Sequence, residues 1–421
     1  MSRTPKPFAE PAPTRRLPSS RARRLTGRTL LGLLAAVVIG LPIVAGVLDS
    51  SADRVADFSV PLWIGWGACA VLVPIVLTHV FELSGSDATP GLALAYDGLP
   101  LLLAGAWVLL AASVSTRHWL LALTAGGLCV YHLTLLVPRF VADPVPRWAR
   151  NAPRVTICVA NVYIDNPTPD LAAKALAQCG ADLIVIVESN PAFIEAFDRE
   201  GGLTAFPNRV TDPDDHSDYA VTIASRLALL GGSEVKETDV LRSATAVVAV
   251  GSRELTIIGL NAMATVEPGG YHMWGRQIRE LTALIPTSDG PLVIAGDLNA
   301  TGYRPEFRAL LRAGLRDAHD SLGKGLNPSF KLSASGPLAM GPVVRLDHVL
   351  IGHGVAALEV ANLAPNGSDH LPFLATLAVQ QLPGIPRLRR PKRRSTARLR
   401  STGHRLRLRS RARSRKRRRN R

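Results

Sequence analysis

Four long runs without a charged residue constrain this chain before anything else does. They cover residues 29–48, 58–81, 98–116 and 119–138. Each approaches the roughly 20 residues an α-helix needs to cross a bilayer. Inside hydrocarbon the backbone must satisfy its own hydrogen bonds, so these runs can only be helices. Trp63, Trp66, Trp107 and Trp119 are available as interfacial anchors. Only Arg117 and His118 separate the third run from the fourth, which predicts a tight helical hairpin. The first run follows many arginines, Arg15-Arg16 among them, in the manner of a secretory signal. No small-residue cleavage site follows it and three further runs do, so it reads as a retained anchor.

Charge is distributed unevenly. The chain carries a net +16. Residues 387–421 hold 19 Lys/Arg and no acid, and residues 1–28 a net +7, which leaves −10 for the body between them. The body is therefore not a basic nucleic-acid surface. The arms, 1–28 and 383–421, are too polar to build a core and read as disordered. Arg15, Arg16, Arg21, Arg23, Arg24 and Arg28 hold the N-terminus inside by the positive-inside rule. Four crossings return the chain to the cytoplasm, and Arg139, Arg147, Arg150 and Arg154 agree with that. The loop 82–97, which lacks Lys and Arg, argues the other way, and three crossings leave the remainder outside. His79, His118 and His132 read as interface or helix-packing residues. Cys69, Cys129, Cys158 and Cys179 show no metal-type spacing and read as buried free thiols.

Pro144, Pro146 and Pro153 mark a linker over 139–153. Beyond it, strand-like and helix-like stretches alternate. Strands are expected at 154–160, 182–187, 219–225, 244–250, 255–260, 292–295, 345–351 and 373–379. Helices are expected at 169–178, 273–285 and 305–313. This interleaving over 154–382 indicates an α/β domain with a sheet core. The loop 212–218, with His216, lacks the spacing of a calcium loop and reads as solvated.

Polar residues stand repeatedly at strand ends. Asn161, Glu188, Asp297 and Asn299 each follow an apolar strand, where ligands of α/β sheets gather. Gly296 lets the backbone bend or another group approach closely. The spacing of Asp297 and Asn299 predicts that both project from one face of their strand. A carboxylate beside an amide there suits a phosphate, a metal or an attacking water. Taken alone it also suits a plain Asx turn. Asp347 and the run Ser368-Asp369-His370 arrive later in the chain.

In this order, Asn161, Glu188, Ala224-Ser225-Arg226, Gly296-Asp297-Leu298-Asn299, Arg345-Leu346-Asp347 and Ser368-Asp369-His370 resemble the endonuclease/exonuclease/phosphatase superfamily. The resemblance covers 154–382 and leaves out the apolar runs and the Arg-rich tail. It implies a four-layer α/β/β/α sandwich, two packed mixed β-sheets flanked by helices; the apolar runs independently indicate about four transmembrane helices at 29–138 before it. It further implies a metal-dependent phosphoesterase using Mg²⁺ or Mn²⁺. Glu188 is then the principal metal ligand, with Asn161 and Asp369 near the same ion. Asp297 handles the attacking water, Asn299 donates to a phosphate oxygen, and Asp347 orients the imidazole of His370. His348 adjoins Asp347 on a strand and should face the other way. Where relatives carry His or Tyr after the 255–260 strand, this chain has Asn261, which can donate to phosphate but cannot give up a proton. Either a metal-bound water then protonates the leaving group, or His272 substitutes from the next loop, or turnover is slow. Arg276 is a further candidate for a substrate phosphate.

The expected substrate is a phosphodiester, a phosphomonoester or a lipid-linked phosphate or pyrophosphate, with membrane lipids as neighbours. The basic tail suits anionic lipid, an envelope polyanion or nucleic acid. A nuclease and a non-catalytic membrane protein are the alternatives.

Overall fold

A computed structural model describes residues 59–80, 90–211, 219–231, 243–266, 269–285, 290–331 and 341–381. The first apolar run, the basic head, the 212–218 loop and the Arg-rich tail lie outside the described residues.

The chain between Arg154 and Val379 folds as two packed sheets because nearly every strand is apolar on both faces. Its strands are β1 (Arg154–Asn161), β2 (Leu183–Val187), β3 (Asn208–Thr211), β4 (Val221–Ser225), β5 (Leu229–Gly231), β6 (Ser243–Val250), β7 (Arg253–Asn261), β8 (Leu292–Asp297), β9 (Arg316–Asp317), β10 (Asp347–Ile351), β11 (Val355–Asn362) and β12 (Phe373–Val379). They form two six-stranded sheets in the orders β11-β12-β1-β2-β4-β3 and β5-β6-β7-β8-β10-β9. Both sheets are mixed. β1–β2 and β7–β8 are parallel, while β1–β12 and β8–β10 are antiparallel.

The largest core lies between the sheets. Val155, Ile157, Val185 and Leu377 from one sheet meet Val248, Ile257, Val293 and Val349 from the other. Helices cover the outer faces. The helices Pro169–Ala177 and Pro191–Arg199 pack Leu176 and Phe197 on Cys158 and Ile184. The helices Gly270–Leu284 and Pro305–Arg312 pack Trp274, Ile278 and Phe307 on Leu260 and Ile294. The expected α/β/β/α sandwich is present. The strands missing from the sequence reading are β3, β5, β9 and β11. All four lie toward the sheet edges, and three are short. Edge strands are half-solvated, so their apolar pattern is dilute.

Among the described residues, four α-helices precede the sandwich: α1 (Ser59–Val80), α2 (Pro90–Asp97), α3 (Leu99–Ser115) and α4 (Trp119–Leu136). Arg117 takes a positive φ of 62° in the tight turn joining α3 to α4. Trp119–Phe140 is the one continuous described helix long and apolar enough to cross a membrane. Gly91–Asp97 and Leu99–Ser115 pass the same measure together but are bent by 70°, and Ile64–Val80 is shorter. Val108, Trp119 and Leu123 point outward, whereas Trp66 is buried among the helices and so is not an interfacial anchor. His79 and His132 are buried packing residues, as expected. His132 accepts a bond from Trp107 Nε1 at 3.0 Å.

The 139–153 linker is laid onto the sandwich and does not hang free. Arg139 is bonded to both Asp320 oxygens, at 2.9 and 2.8 Å. Asp143 N donates to Ser321 O at 2.8 Å. Ala149 is buried against Ala356 and Ala378.

Candidate active site

Strand register assembles the site at one end of the two sheets. In the parallel pair β1–β2, Asn161 lies beside Val187, so Glu188 emerges next to Asn161. In the other sheet, Asp297 at the end of β8 is flanked by Asn261 of β7 and by Asp347, which opens β10. The close approach anticipated at Gly296 is real. Its φ is 142°, and a Cβ there would stand 2.0 Å from Leu260 O.

Asn161 bridges the sheets. Its Nδ2 donates to Glu188 Oε1 at 3.0 Å and to Asp297 Oδ2 at 3.1 Å. Ile164 N donates to the other Glu188 oxygen at 2.8 Å. Glu188 carries a positive φ of 59°, an uncommon conformation for a residue with a side chain, of the kind that gathers at functional sites. On the far side, His370 Nδ1 is bonded to Asp347 Oδ2 at 2.7 Å, and its Nε2 lies 3.8 Å from Asp297 Oδ2. Ser368 Oγ donates to Asn161 O at 2.8 Å and accepts from His370 N at 3.0 Å, tying the two halves together.

The expectation that Asp297 and Asn299 share a strand face requires correction. β8 ends at Asp297, and Asn299 lies beyond it with φ 46°. Its amide N donates to Asp297 Oδ1 at 2.7 Å, which is an Asx turn. The plain turn and the functional cluster are the same object. Asn299 Nδ2 donates to Ala262 O at 2.8 Å and keeps its second N–H.

Burial and like charge dominate the electrostatics. Asp297 is pushed up to about 7, by desolvation first and then by the neighbouring Asp347 carboxylate. Burial also raises Glu188 and Asp369. For His370 burial opposes the charge, yet Asp347 and then Asp297 outweigh it and lift the imidazole to about 10. The site thus holds several carboxylates against one protonated ring.

Asp297, Asp347 and His370 offer ligand atoms within 4.8 Å of one another, but this group leaves out Glu188, Asn161 and Asp369, the ligands the resemblance implies, and a His370 that carries its proton does not ligate. Asp347 Oδ1 and Asp369 Oδ1 are buried and have no hydrogen-bond partner among the described residues. An orphaned carboxylate oxygen of Asp369 near Glu188 is what a hard divalent cation takes as a ligand, so the donor set fits such an ion.

Other expected residues fall less centrally. Asn261 is buried beside Asp297, but its Nδ2 donates to Tyr219 O at 3.1 Å. Arg276 and His272 have exposed side chains. The adjacent Gln277 turns inward, its Oε1 accepting from Met263 N at 2.7 Å. His348 faces away from the site, as expected. It is buried between Asp317 Oδ2 at 2.6 Å and Ala300 O at 3.0 Å. Two contributors had no signal in the sequence. Ser329 Oγ accepts from Leu346 N and Asp347 N, both at 3.1 Å, and the Phe330 ring lies 4.9 Å from His370.

The model of the Endonuclease/Exonuclease/phosphatase family matches residues 158–370. The chain belongs to that family. Members of that family are generally hydrolases of phosphoesters or nucleic acids, typically dependent on a divalent metal. No curated protein matches the sequence. Among solved structures, D. rerio TDP2 complexed with single strand DNA product is 17% identical, covers 54% of this chain and 99% of its own, and has a TM-score of 0.42. Truncated Caenorhabditis elegans TDP2 is 14% identical over 54% of this chain and 98% of its own, with a TM-score of 0.42. A Bacteroides vulgatus endonuclease/exonuclease/phosphatase is 14% identical over 54% and 99%, with a TM-score of 0.40.

Proposed function

We propose that this protein is a membrane-anchored, Mg²⁺-dependent phosphoesterase whose substrate is a phosphodiester, a phosphomonoester or a lipid-linked phosphate or pyrophosphate. The observation that carries the reading is the network Glu188–Asn161–Asp297 with His370–Asp347, which joins both sheets at their strand ends. Three buried or half-buried carboxylates in one place cost stability, a cost that functional sites bear for their chemistry.

Held near neutrality, Asp297 can take a proton from an attacking water at physiological pH. His370 is protonated at that pH, which favours an electrostatic clamp and donor to a phosphate oxygen over a general base. Asp347 fixes its ring through Nδ1. Asn299 adds a neutral donor through its second amide hydrogen. Glu188 and Asp369, with Asn161 beside them, would hold a divalent cation, which would supply neutralisation of phosphoryl charge when bound. Asn261 donates to a backbone carbonyl and carries no acid role, so protonation of the leaving group falls to another donor.

The anchoring half of the reading rests on Trp119–Phe140 and on outward-facing Val108, Trp119, Leu123 and Val130, which water would penalise. A site tethered to a bilayer suits a lipid-linked phosphate. A nuclease reading draws on the 19 Lys/Arg of the tail, which would bind a phosphate backbone.

The test uses the full chain in detergent micelles with a chromogenic phosphodiester, a phosphomonoester, a lipid pyrophosphate and plasmid DNA, in Mg²⁺ or EDTA. Turnover on a small or lipid phosphoester that needs Mg²⁺ and disappears in Asp297→Ala and His370→Ala supports the proposal. Turnover confined to plasmid DNA establishes the nuclease. Activity surviving both substitutions refutes the site.

A further inference from the structure

The apolar helices do more than stand beside the sandwich. Asp97 ends α2 at the 70° break before α3, and its side chain is buried. An ionisable group buried among apolar helices calls for a named partner. Here the partner is the loop that leaves β8. Asp97 Oδ1 accepts from Thr301 N at 2.9 Å and from Thr301 Oγ1 at 3.0 Å. Arg304 Nε lies 2.9 and 3.0 Å from the two carboxylate oxygens, and Arg304 Nη2 pairs with Oδ2 as well. The pair is bidentate and buried on both sides, at 2% and 8% exposure, unlike a surface ion pair.

Arg304 then extends the hold. It donates to Thr265 Oγ1 at 3.0 Å and lies over the Trp274 ring at 4.7 Å. Trp274 Nε1 in turn donates to Leu298 O at 2.8 Å. A second helix grips the same loop, since His79 is bonded to Tyr303 O at 2.6 Å and Arg308 Nη2 donates to His79 O at 3.0 Å. Every residue gripped lies within the 298–308 stretch that begins beside Asp297 and contains Asn299.

We propose that Asp97 is a positioning residue: by holding Thr301 and Arg304 it fixes the 298–304 loop, so that Asp297 and Asn299 reach working geometry only with the apolar helices docked. The inference rests on the reading of Asp297 and Asn299 as catalytic. Its physical basis is that a displacement of about 1 Å at a reacting group costs on the order of 10²-fold in rate.

The experiment is a double-mutant cycle in the full chain in lipid nanodiscs, using Asp97→Ala, Asn299→Ala and the double variant with a Mg²⁺-dependent phosphodiester assay. Asp97→Ala should lower kcat roughly 10–100-fold and move KM less than about threefold. If Asp97 acts through the loop, adding Asp97→Ala to Asn299→Ala should cost clearly less than the same change costs in the wild type, the remainder being what reaches kcat through Asp297. A merely structural role would instead give independent, multiplying losses, and that result overturns the proposal. Hydrogen exchange supplies a readout free of turnover, because the Thr301 amide should lose protection in Asp97→Ala. Unchanged protection also overturns it. Should Asp97→Ala fail to fold, Asp97→Asn keeps an acceptor for Thr301 while weakening the hold on Arg304. It should show a smaller kcat loss with the same non-additivity, and wild-type kcat there counts against the proposal. A wild-type chain without metal-dependent turnover on any substrate refutes the phosphoesterase reading instead, and the exchange experiment then decides on Asp97 by itself.

Discussion

Gly296→Ala should damage stability and activity together, for a reason that can be worked out atom by atom. Gly296 pairs with Leu260 across the parallel β7–β8 ladder. A Cβ at position 296 would meet Leu260 O at 2.0 Å and Leu260 C and N at 3.0 Å, and real Cβ contacts essentially never fall under 3.0 Å. The obstacle is backbone, so no rotamer change relieves it. The two strands must part by about 1 Å, which threatens the Ala262 N to Asp297 O bond at 2.9 Å and its ladder neighbour. Each lost bond costs about 1 kcal/mol. Holding alanine at a φ of 142° adds roughly 1–3 kcal/mol. The sum is about 3–5 kcal/mol, or roughly 10 °C in Tm for a domain of this size. Asp297 moves with its strand, so kcat should fall on the order of 10²-fold. Gly290→Ala is the control, since the nearest atom to its Cβ is Glu254 O at 3.9 Å. The assay is a fluorescence melt of the detergent-solubilised chain beside phosphodiester turnover. A Gly296→Ala protein that melts and turns over like Gly290→Ala would refute the reasoning.

Asp347→Asn should leave the fold intact but lower kcat roughly 10²-fold, because it removes the charge that orients and protonates His370; a wild-type kcat counts against the clamp role. His319 is buried against Phe373 at 4.6 Å and burial lowers it to about 3. A folded value below the unfolded 6.5 means its neutral burial is without cost above pH 6.5 and costs stability as pH falls toward 3. His319→Leu should therefore spare roughly 2 kcal/mol of the loss between pH 6.5 and 4.5, and denaturant titrations with identical pH slopes would contradict this. With Trp119–Phe140 in a bilayer, the full chain should stay with membranes through an alkaline carbonate wash; release by the wash would remove the anchor from the reading.

Much of the molecule was legible in one dimension. Buried strands such as β1, β2 and β8 are continuous apolar runs that end at a polar residue, so their limits and their terminal Asn161, Glu188 and Asp297 stand out. The edge strands β3 and β11 do not, because a half-solvated strand lacks that contrast. The ordered set of strand-end residues pointed to one site and one family, since parallel register brings strand ends together.

Other features exist only in three dimensions. Asn299 looked like a strand residue and is a turn residue, because backbone conformation past a strand end is set by what the next segment must reach. Arg276 and Gln277 are neighbours in the chain, yet packing turns only the second inward. Asp97 appeared as an acidic residue in an awkward loop, and folding places it on the loop beside Asp297, some 200 residues away. Local pattern was enough for the apolar runs, the central strands and an α/β sheet core, because burial is written along the chain; the two-sheet sandwich and the candidate site residues came from the family resemblance of the ordered strand-end motifs. Only the tertiary structure decided which carboxylates face one another, which imidazole is held charged and how the helices grip the site. Those depend on contacts between residues far apart in the chain, and no local pattern carries them.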